Sequence, residues 1–536
     1  MKLKKQKINR VLVFLVLILI FLYYVVSVKT LTNFPIVNVD EGWQWNNALL
    51  FVNPKFHSIN LHFWSHGGGA PYVLDFLLGV VAKFWGVGVF QGRALILGIS
   101  IVVLIILFSL AKRLYDFRTA LLIVVFLIST DTFLSGSRVI RTDLILGAYL
   151  LVWAHLFLSF VQTRKTFWLI LASLVLSFGF EVHQNSALFY LGTLATLAIF
   201  PTKTLQKKLT LLAIYLTGSV VYSIFYLFAH VLPNTESFMA LNKYGIFIDH
   251  PLPIFSMFPV ELVMAEIGRY SNYFGGARII EFGIICFGFV LCLLNKKFKE
   301  SFLALFIFFS ALAFLLFSAS KLGHYFATFY VIYAIFAGKI LSMVLFFPFE
   351  KLSNFSDKIK TDTFTLSLKL VSKKQFRKTL SISVICFFVL FLLFNGFRIA
   401  IRLKNFSSYN LNFLGSQINQ VIPSGSKVMG LPYWMPVLPN QNFISFYTLT
   451  WYRILEGEPL NVAFSEISPN FLILDQNVSS YLVDSPRLVR GNFFQQGLYN
   501  IYRPEFLSIL DHYGKPIATL SDQFLGPIKV YQLNIK

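Results

Sequence analysis

The stretch VLVFLVLILIFLYYVVSV (Val11–Val28) follows Lys2, Lys4, Lys5, Lys7 and Arg10 and contains no ionisable group other than tyrosine. An apolar run of this length spans the hydrocarbon of a bilayer, and the basic flank keeps its N-terminal end in the cytoplasm. It ends without a small-residue cleavage site, so it reads as an uncleaved signal anchor. Working outward, apolar runs recur near residues 94–111, 119–135, 143–161, 167–181, 186–200, 209–230, 277–294, 301–318, 326–347 and 380–397. They predict a polytopic α-helical membrane protein of about eleven transmembrane helices, with roughly 11 to 13 as the range. The composition agrees: 56% hydrophobic and 13% charged residues with a mean hydropathy of +0.69, against about 25% charged residues in soluble domains.

The net charge of +22 sits largely in short loops beside apolar runs, around Lys112/Arg113/Arg118, Arg164/Lys165, Lys203/Lys207/Lys208, Lys296/Lys297/Lys299 and between Lys351 and Lys378. One alternation of sides places all of these in the cytoplasm. That requires the apolar stretch from Pro71 to Trp85 to lie in the interface rather than cross, which its Pro71, Asp75 and Lys83 suit. The charge is thereby accounted for without nucleic acid as a partner. Cys286, Cys292 and Cys386 all fall in apolar runs, so no disulfide framework or zinc spacing is present.

Two units follow: residues 1–397 as the transmembrane domain, whose first outer loop, 29–93, holds interfacial helices, and residues 398–536 as a small C-terminal extracytoplasmic α/β domain. The tail carries turn signals such as Pro423-Ser424-Gly425 and β-rich runs at 470–475 and 528–533. The placement implies an integral plasma (inner) membrane protein, N-terminus cytoplasmic and tail outside.

Polar chemistry collects at the outer boundary. Asp40-Glu41 stand just beyond the first span, and a carboxylate partly buried at the mouth of a membrane cavity can act as a general base on a hydroxyl. The plainer reading is a solvated loop acid. Ser137-Arg138 and Arg141-x-Asp143 join two spans by a short loop, where arginines suit a phosphate at headgroup level or simply snorkel to lipid. Lys321, with His324 and Tyr325, opens a later span on the side where the charge rule disfavours a cation, which a bound phosphate would explain. His66, His183 and Arg269 are further substrate-binding candidates, although a lone histidine is more often structural. A divalent cation at Asp40/Glu41 stays open as a cofactor, with no third and fourth oxygen ligand identifiable by spacing.

These pieces in this order resemble the GT-C superfamily of integral-membrane glycosyltransferases, in the branch of the protein O-mannosyltransferases and the lipid A aminoarabinose transferases. The matching residues are Asp40-Glu41, Gly69-Ala70-Pro71 opening a helix that ends in Phe84-Trp85-Gly86, Arg93, Ser137-Arg138, Arg141-x-Asp143 and Lys321-x-x-His324-Tyr325. Where the branch often has a basic residue before two prolines, this chain has Gly67-Gly68-Gly69-Ala70-Pro71, with His66 nearest. The resemblance implies transfer of a hexosyl or pentosyl group from a polyprenyl-phosphate-linked donor to a glycan, lipid or protein acceptor. It also implies Asp40, with Glu41, as the catalytic carboxylate, and Arg138, Arg141, Lys321, His324 and Tyr325 on the donor phosphate. A transporter or lipid flippase is the competing expectation, and a membrane scaffold with an outer binding domain is another. No visible repeat and few mid-span charges favour the enzyme.

Overall fold

The computed structural model describes residues 2–52, 72–235, 258–274, 278–295, 298–318, 325–346, 373–446, 459–476 and 503–534, with single positions 239, 449 and 478. In chain order the helices are α1 Lys2–Lys29, α2 Val39–Val52, α3 Tyr72–Trp85, α4 Val89–Leu114, α5 Phe117–Ile128, α6 Asp131–Gly136, α7 Asp143–Thr163, α8 Thr166–Phe178, α9 Ser186–Ala198 and α10 Leu205–Tyr226. They continue with α11 Pro259–Phe274, α12 Ile279–Leu293, α13 Phe298–Phe317, α14 Phe326–Phe346, α15 Lys373–Asn405, α16 Leu411–Val421, α17 Leu460–Ile467 and α18 Arg503–Tyr513. A helix stands at each apolar run read from the sequence, because an unbroken apolar segment satisfies its backbone in lipid only by helical hydrogen bonds. Among the described residues, six helices are long and apolar enough to cross a membrane, and four apolar helical stretches are shorter.

The helices differ in depth within the bundle. The apolar window of α14 is 78% buried and that of α7 67%, whereas those of α1 and α10 are 11% and 17% buried. The first pair therefore forms the centre and the second pair faces outward. Trp153 and Phe157 of α7 stack on Phe302 and Phe306 of α13, and Phe189 of α9 meets Phe329 of α14. α3 is not among the helices long enough to cross. Its Asp75 is 1% exposed beside Asn47 of α2, and burial pushes its carboxyl well above the usual range.

α15 runs through Arg398 to Asn405 without a break, and the tail begins its own fold at α16. Among the described residues, five strands, β1 Lys427–Gly430, β2 Asn442–Ser445, β3 Phe471–Leu474, β4 Gly514–Asp522 and β5 Gly526–Leu533, form one sheet in the order β2-β1-β3-β5-β4. β1 is parallel to β2 and β3, while β5 is antiparallel to β3 and β4. β3 is buried at every position, as a continuous apolar run in a covered sheet should be. Between β1 and β2 a 3-10 turn, Pro432–Val437, is fully buried and lies against α2.

Candidate functional site

The local sequence Asn38-Val39-Asp40-Glu41 starts α2 with a capping box. The Asn38 side chain accepts the Glu41 N–H at 3.1 Å, and Glu41 Oε1 accepts the Asn38 N–H at 3.3 Å. Both acids lie in the first turn, where the helix dipole favours negative charge. Their surroundings then separate them. Glu41 is 0% exposed and forms a two-pronged pair with Arg93 of α4, Nε to Oε2 at 2.9 Å and Nη2 to Oε1 at 2.7 Å. Arg93 Nη1 also donates to the Leu31 carbonyl at 2.8 Å, and Glu41 Oε2 accepts the Ile140 N–H at 3.1 Å. Gly92 makes this approach feasible: a Cβ there would fall 2.4 Å from Ile140 and 3.1 Å from Trp45. Asp40 keeps a 52% exposed side chain and pairs with Arg141.

Residues 137–142, between α6 and α7, send neighbouring side chains in opposite directions. Ser137 Oγ lies 2.6 Å from the Tyr23 hydroxyl of α1. Arg138 is fully buried and donates to Thr30 Oγ1 and Ser27 Oγ, each at 2.9 Å; among the described residues its Nε has no partner. Burial, helped by the charge of Arg93, lowers its pKa to about 10, so it remains a cation at neutral pH. Arg141 turns the other way and bridges Asp40 and Asp143, with Nε 2.8 Å from Asp143 Oδ2.

His183, at the corner between α8 and α9, is partly buried and lies within electrostatic reach of Asp143 and Arg141. Burial lowers its pKa to about 4, against a partial rise from Asp143, and leaves it neutral at physiological pH. Its Nδ1 accepts the Asn185 N–H at 3.0 Å, which assigns the proton to Nε2. The His183 ring meets Tyr325 edge-on at 5.4 Å. Arg269 of α11, 5% exposed, pairs with Glu266 and lies 4.6 Å from the centroid of Phe326, the residue after Tyr325. The structure thus brings together Asp40, Arg141, Asp143, His183 and Tyr325, with Arg269 alongside. It sets Arg138 apart against α1, and His66, Lys321 and His324 lie outside the described residues.

Glu41 does not suit a divalent ion, since both of its oxygens are bonded to Arg93 and backbone amides. Among the described residues, no group of three His, Cys, Asp or Glu side chains is close enough to hold one. Two features escaped the reading of the sequence. Arg93 stood in the motif without its partner, which the Asn38-x-x-Glu41 spacing could have hinted at by fixing Glu41 inward. A second acid pair, Glu181 Oε1 with His230 Nε2 at 2.9 Å and Tyr222 at 2.8 Å, had no local signal at all.

A family model described as dolichyl-phosphate-mannose-protein mannosyltransferase matches residues 69–227. Among solved structures, ArnT from Cupriavidus metallidurans bound to undecaprenyl phosphate superposes with a TM-score of 0.54 at 15% identity, covering 89% of this chain and 96% of that one. The chain shares its fold with this ArnT. The apo form of the same ArnT gives 0.55 at 14% identity over 90% and 97%. The Archaeoglobus fulgidus oligosaccharyltransferase, tethered to an acceptor peptide with an NVT sequon, gives 0.50 at 11% identity over 98% and 74%. No curated protein matches the chain in sequence. These side chains gather at the N-terminal ends of α2, α7, α9 and α14.

His183 gives this region a pH signature. Below about pH 6.5 the unfolded chain takes up a proton on His183 that the folded chain refuses until about pH 4. The unfolded state then binds more protons, so stability falls as pH is lowered through that window. Thermal scans from about pH 7 to pH 5 should show a shallower decline in His183→Gln than in the wild type; equal slopes would remove His183 as the cause.

Proposed function

We propose that the chain is an integral-membrane glycosyltransferase that moves a sugar from a polyprenyl-phosphate-linked donor to an acceptor hydroxyl or amide at the outer face, with Asp40 as general base. The observation that carries this reading is the convergence of an accessible carboxylate, Asp40, with Arg141, Asp143 and neutral His183 at one end of the bundle, next to buried Arg269. The GT-C fold supports it, and so does the lipid phosphate bound to the matched ArnT.

Each residue then has a task. The bond from acceptor oxygen or nitrogen to the anomeric carbon forms as the bond from that carbon to phosphate oxygen breaks. The acceptor proton goes to Asp40, and the electron pair leaves with polyprenyl phosphate, which needs no general acid. Arg141, held by Asp143, orients Asp40. His183 offers its Nε2–H to a sugar hydroxyl. Arg269, together with Lys321 and His324 from the segment leading into Tyr325, balances charge on the departing phosphate. Glu41 acts through position alone, locked to Arg93, and Arg138 holds residues 137–142 on α1 instead of reaching the donor.

Native mass spectrometry of the purified protein with added polyprenyl phosphate tests the donor side. One lipid phosphate should stay bound per chain, and Arg269→Ala should weaken its retention by about 10- to 100-fold, the scale of a lost charge-assisted hydrogen bond. Equal retention in both proteins would count against the assignment. In this reading the N-terminus and the loop 348–379 lie in the cytoplasm and the C-terminal domain outside. A cysteine at Ser465, which is exposed, should label from outside sealed cells and one at Ser356 should not; the reverse pattern would invert the topology.

A further inference from the structure

The segment carrying the two acids is held from both sides. On the membrane side Arg93 grips Leu31 and Glu41, as described above. On the other side the grip comes from the C-terminal domain. Asn33 Nδ2 donates to the Tyr409 carbonyl at 2.6 Å and to the Ser407 carbonyl at 3.3 Å, and the Val37 N–H donates to the Tyr409 hydroxyl at 3.3 Å. Tyr409 is fully buried, and Phe34 packs on Phe406, which in turn stacks on Phe524 of the loop between β4 and β5.

The second hold is tighter. Gly42, two residues after Asp40, lies on the Pro432–Tyr433 peptide so closely that a Cβ would fall 1.9 Å from the Pro432 oxygen and 2.6 Å from the Tyr433 nitrogen. No flexible side chain is available to yield there, because the opposing atoms are backbone. That backbone is itself fixed. Asp475, 0% exposed at the end of β3, accepts from the Tyr433 hydroxyl and from Trp434 Nε1, the latter at 3.0 Å, and also from the Val478 N–H at 3.3 Å. A carboxylate this deep, placed to receive two ring donors from one short turn, holds the turn in a single geometry.

We infer that the C-terminal domain is a positioning element of the transfer site, with Tyr409 and the Pro432–Tyr433–Trp434 turn locked by Asp475 setting the register of α2 and so the direction in which Asp40 presents its carboxylate. The inference rests on the reading of Asp40 as base for its functional half, while the mechanical half can be measured without turnover. Tyr409, Gly42 and Asp475 touch neither donor nor acceptor; they act through α2. A shift of about 1 Å at a reacting group can cost on the order of 100-fold in rate, so a domain distant from the lipid can still control catalysis.

The test uses the full chain in lipid nanodiscs. Hydrogen exchange of α2 peptides and donor turnover are measured for Gly42→Ala, Asp475→Ala and Asp475→Asn. In Gly42→Ala and Asp475→Ala, α2 amides should exchange at least about 10-fold faster while peptides from β1 and β2 keep their protection. Turnover should fall about 10- to 100-fold in kcat with the donor KM nearly unchanged. Asp475→Asn retains an acceptor oxygen for Tyr433 and should recover most of both losses, which a general loss of folding would not show. The double variant Gly42→Ala/Asp475→Ala should lose little more than either single one, because both release the same seat. Unchanged α2 exchange in Gly42→Ala and Asp475→Ala overturns the clamp. Faster exchange with unchanged kcat overturns its functional role, and normal turnover in a folded Asp40→Asn overturns instead the assignment of the base.

Discussion

Arg93→Leu should destabilise the folded protein by about 3 to 5 kcal/mol, the cost of stranding a charge that had been paired out of water. Glu41 would then stay buried at 0% exposure with its guanidinium partner gone, and the Leu31 carbonyl would lose its donor. Against a typical folding stability of about 5 to 15 kcal/mol, a loss of that size appears as low yield and a much lower melting temperature. Glu41→Leu should cost a similar amount and for the same reason. Combining the two removes both charges, so the double variant should be more stable than the sum of the single losses implies, with a favourable coupling of up to about 3 kcal/mol. Thermal scans of the four proteins in one detergent read this directly. Strict additivity would mean that the pair is not the link between α2 and α4.

The second large effect is on chemistry and leaves the fold alone. Asp40→Asn keeps size and hydrogen-bonding capacity at a half-exposed position whose ion-pair partner, Arg141, retains Asp143. Melting should therefore change little. Turnover should fall by about 100- to 10,000-fold, the range a positioned base contributes, while donor binding stays near that of the wild type, because the lost interaction exists only as the proton moves. If Asp40 were an ordinary surface acid, specific activity per folded molecule would be unchanged.

The architecture of the membrane part was legible in the sequence for a simple reason. Apolar runs such as Val11–Val28 and 326–347 have one low-energy form in lipid, and a helix lies at each of them. Two β-rich runs in the tail were legible for a similar reason: 470–475 contains β3, and 528–533 lies in β5. What the sequence left open was pairing across long separations. Glu41 and Arg93 are 52 positions apart, and Asp40 and Arg141 are 101 apart; nothing local states that one acid of an adjacent pair is buried and the other exposed. Helical phase decides it, since Glu41 points toward α4 and Asp40 toward Arg141, and the Asn38 cap sets that phase. Arg138 and Arg141 show the same limit. Equal in charge and three residues apart, they face different neighbours, Ser27 and Thr30 in one direction and Asp40 in the other. The coupling of Gly42 to Pro432 was invisible, because a glycine in a helix signals a close approach without naming what approaches.

The central claim is that this site cleaves the bond between a sugar and a polyprenyl phosphate and passes the sugar on. Its most direct measurement is a mass balance in proteoliposomes loaded with a panel of labelled polyprenyl-phosphate sugars and with acceptors on the side of the C-terminal domain. For at least one donor, free polyprenyl phosphate should appear in step with sugar on an acceptor, and both products should vanish in folded Asp40→Asn. Intact lipid-linked sugar moving from one leaflet to the other, with no polyprenyl phosphate released from any donor, would contradict it and make the protein a transporter.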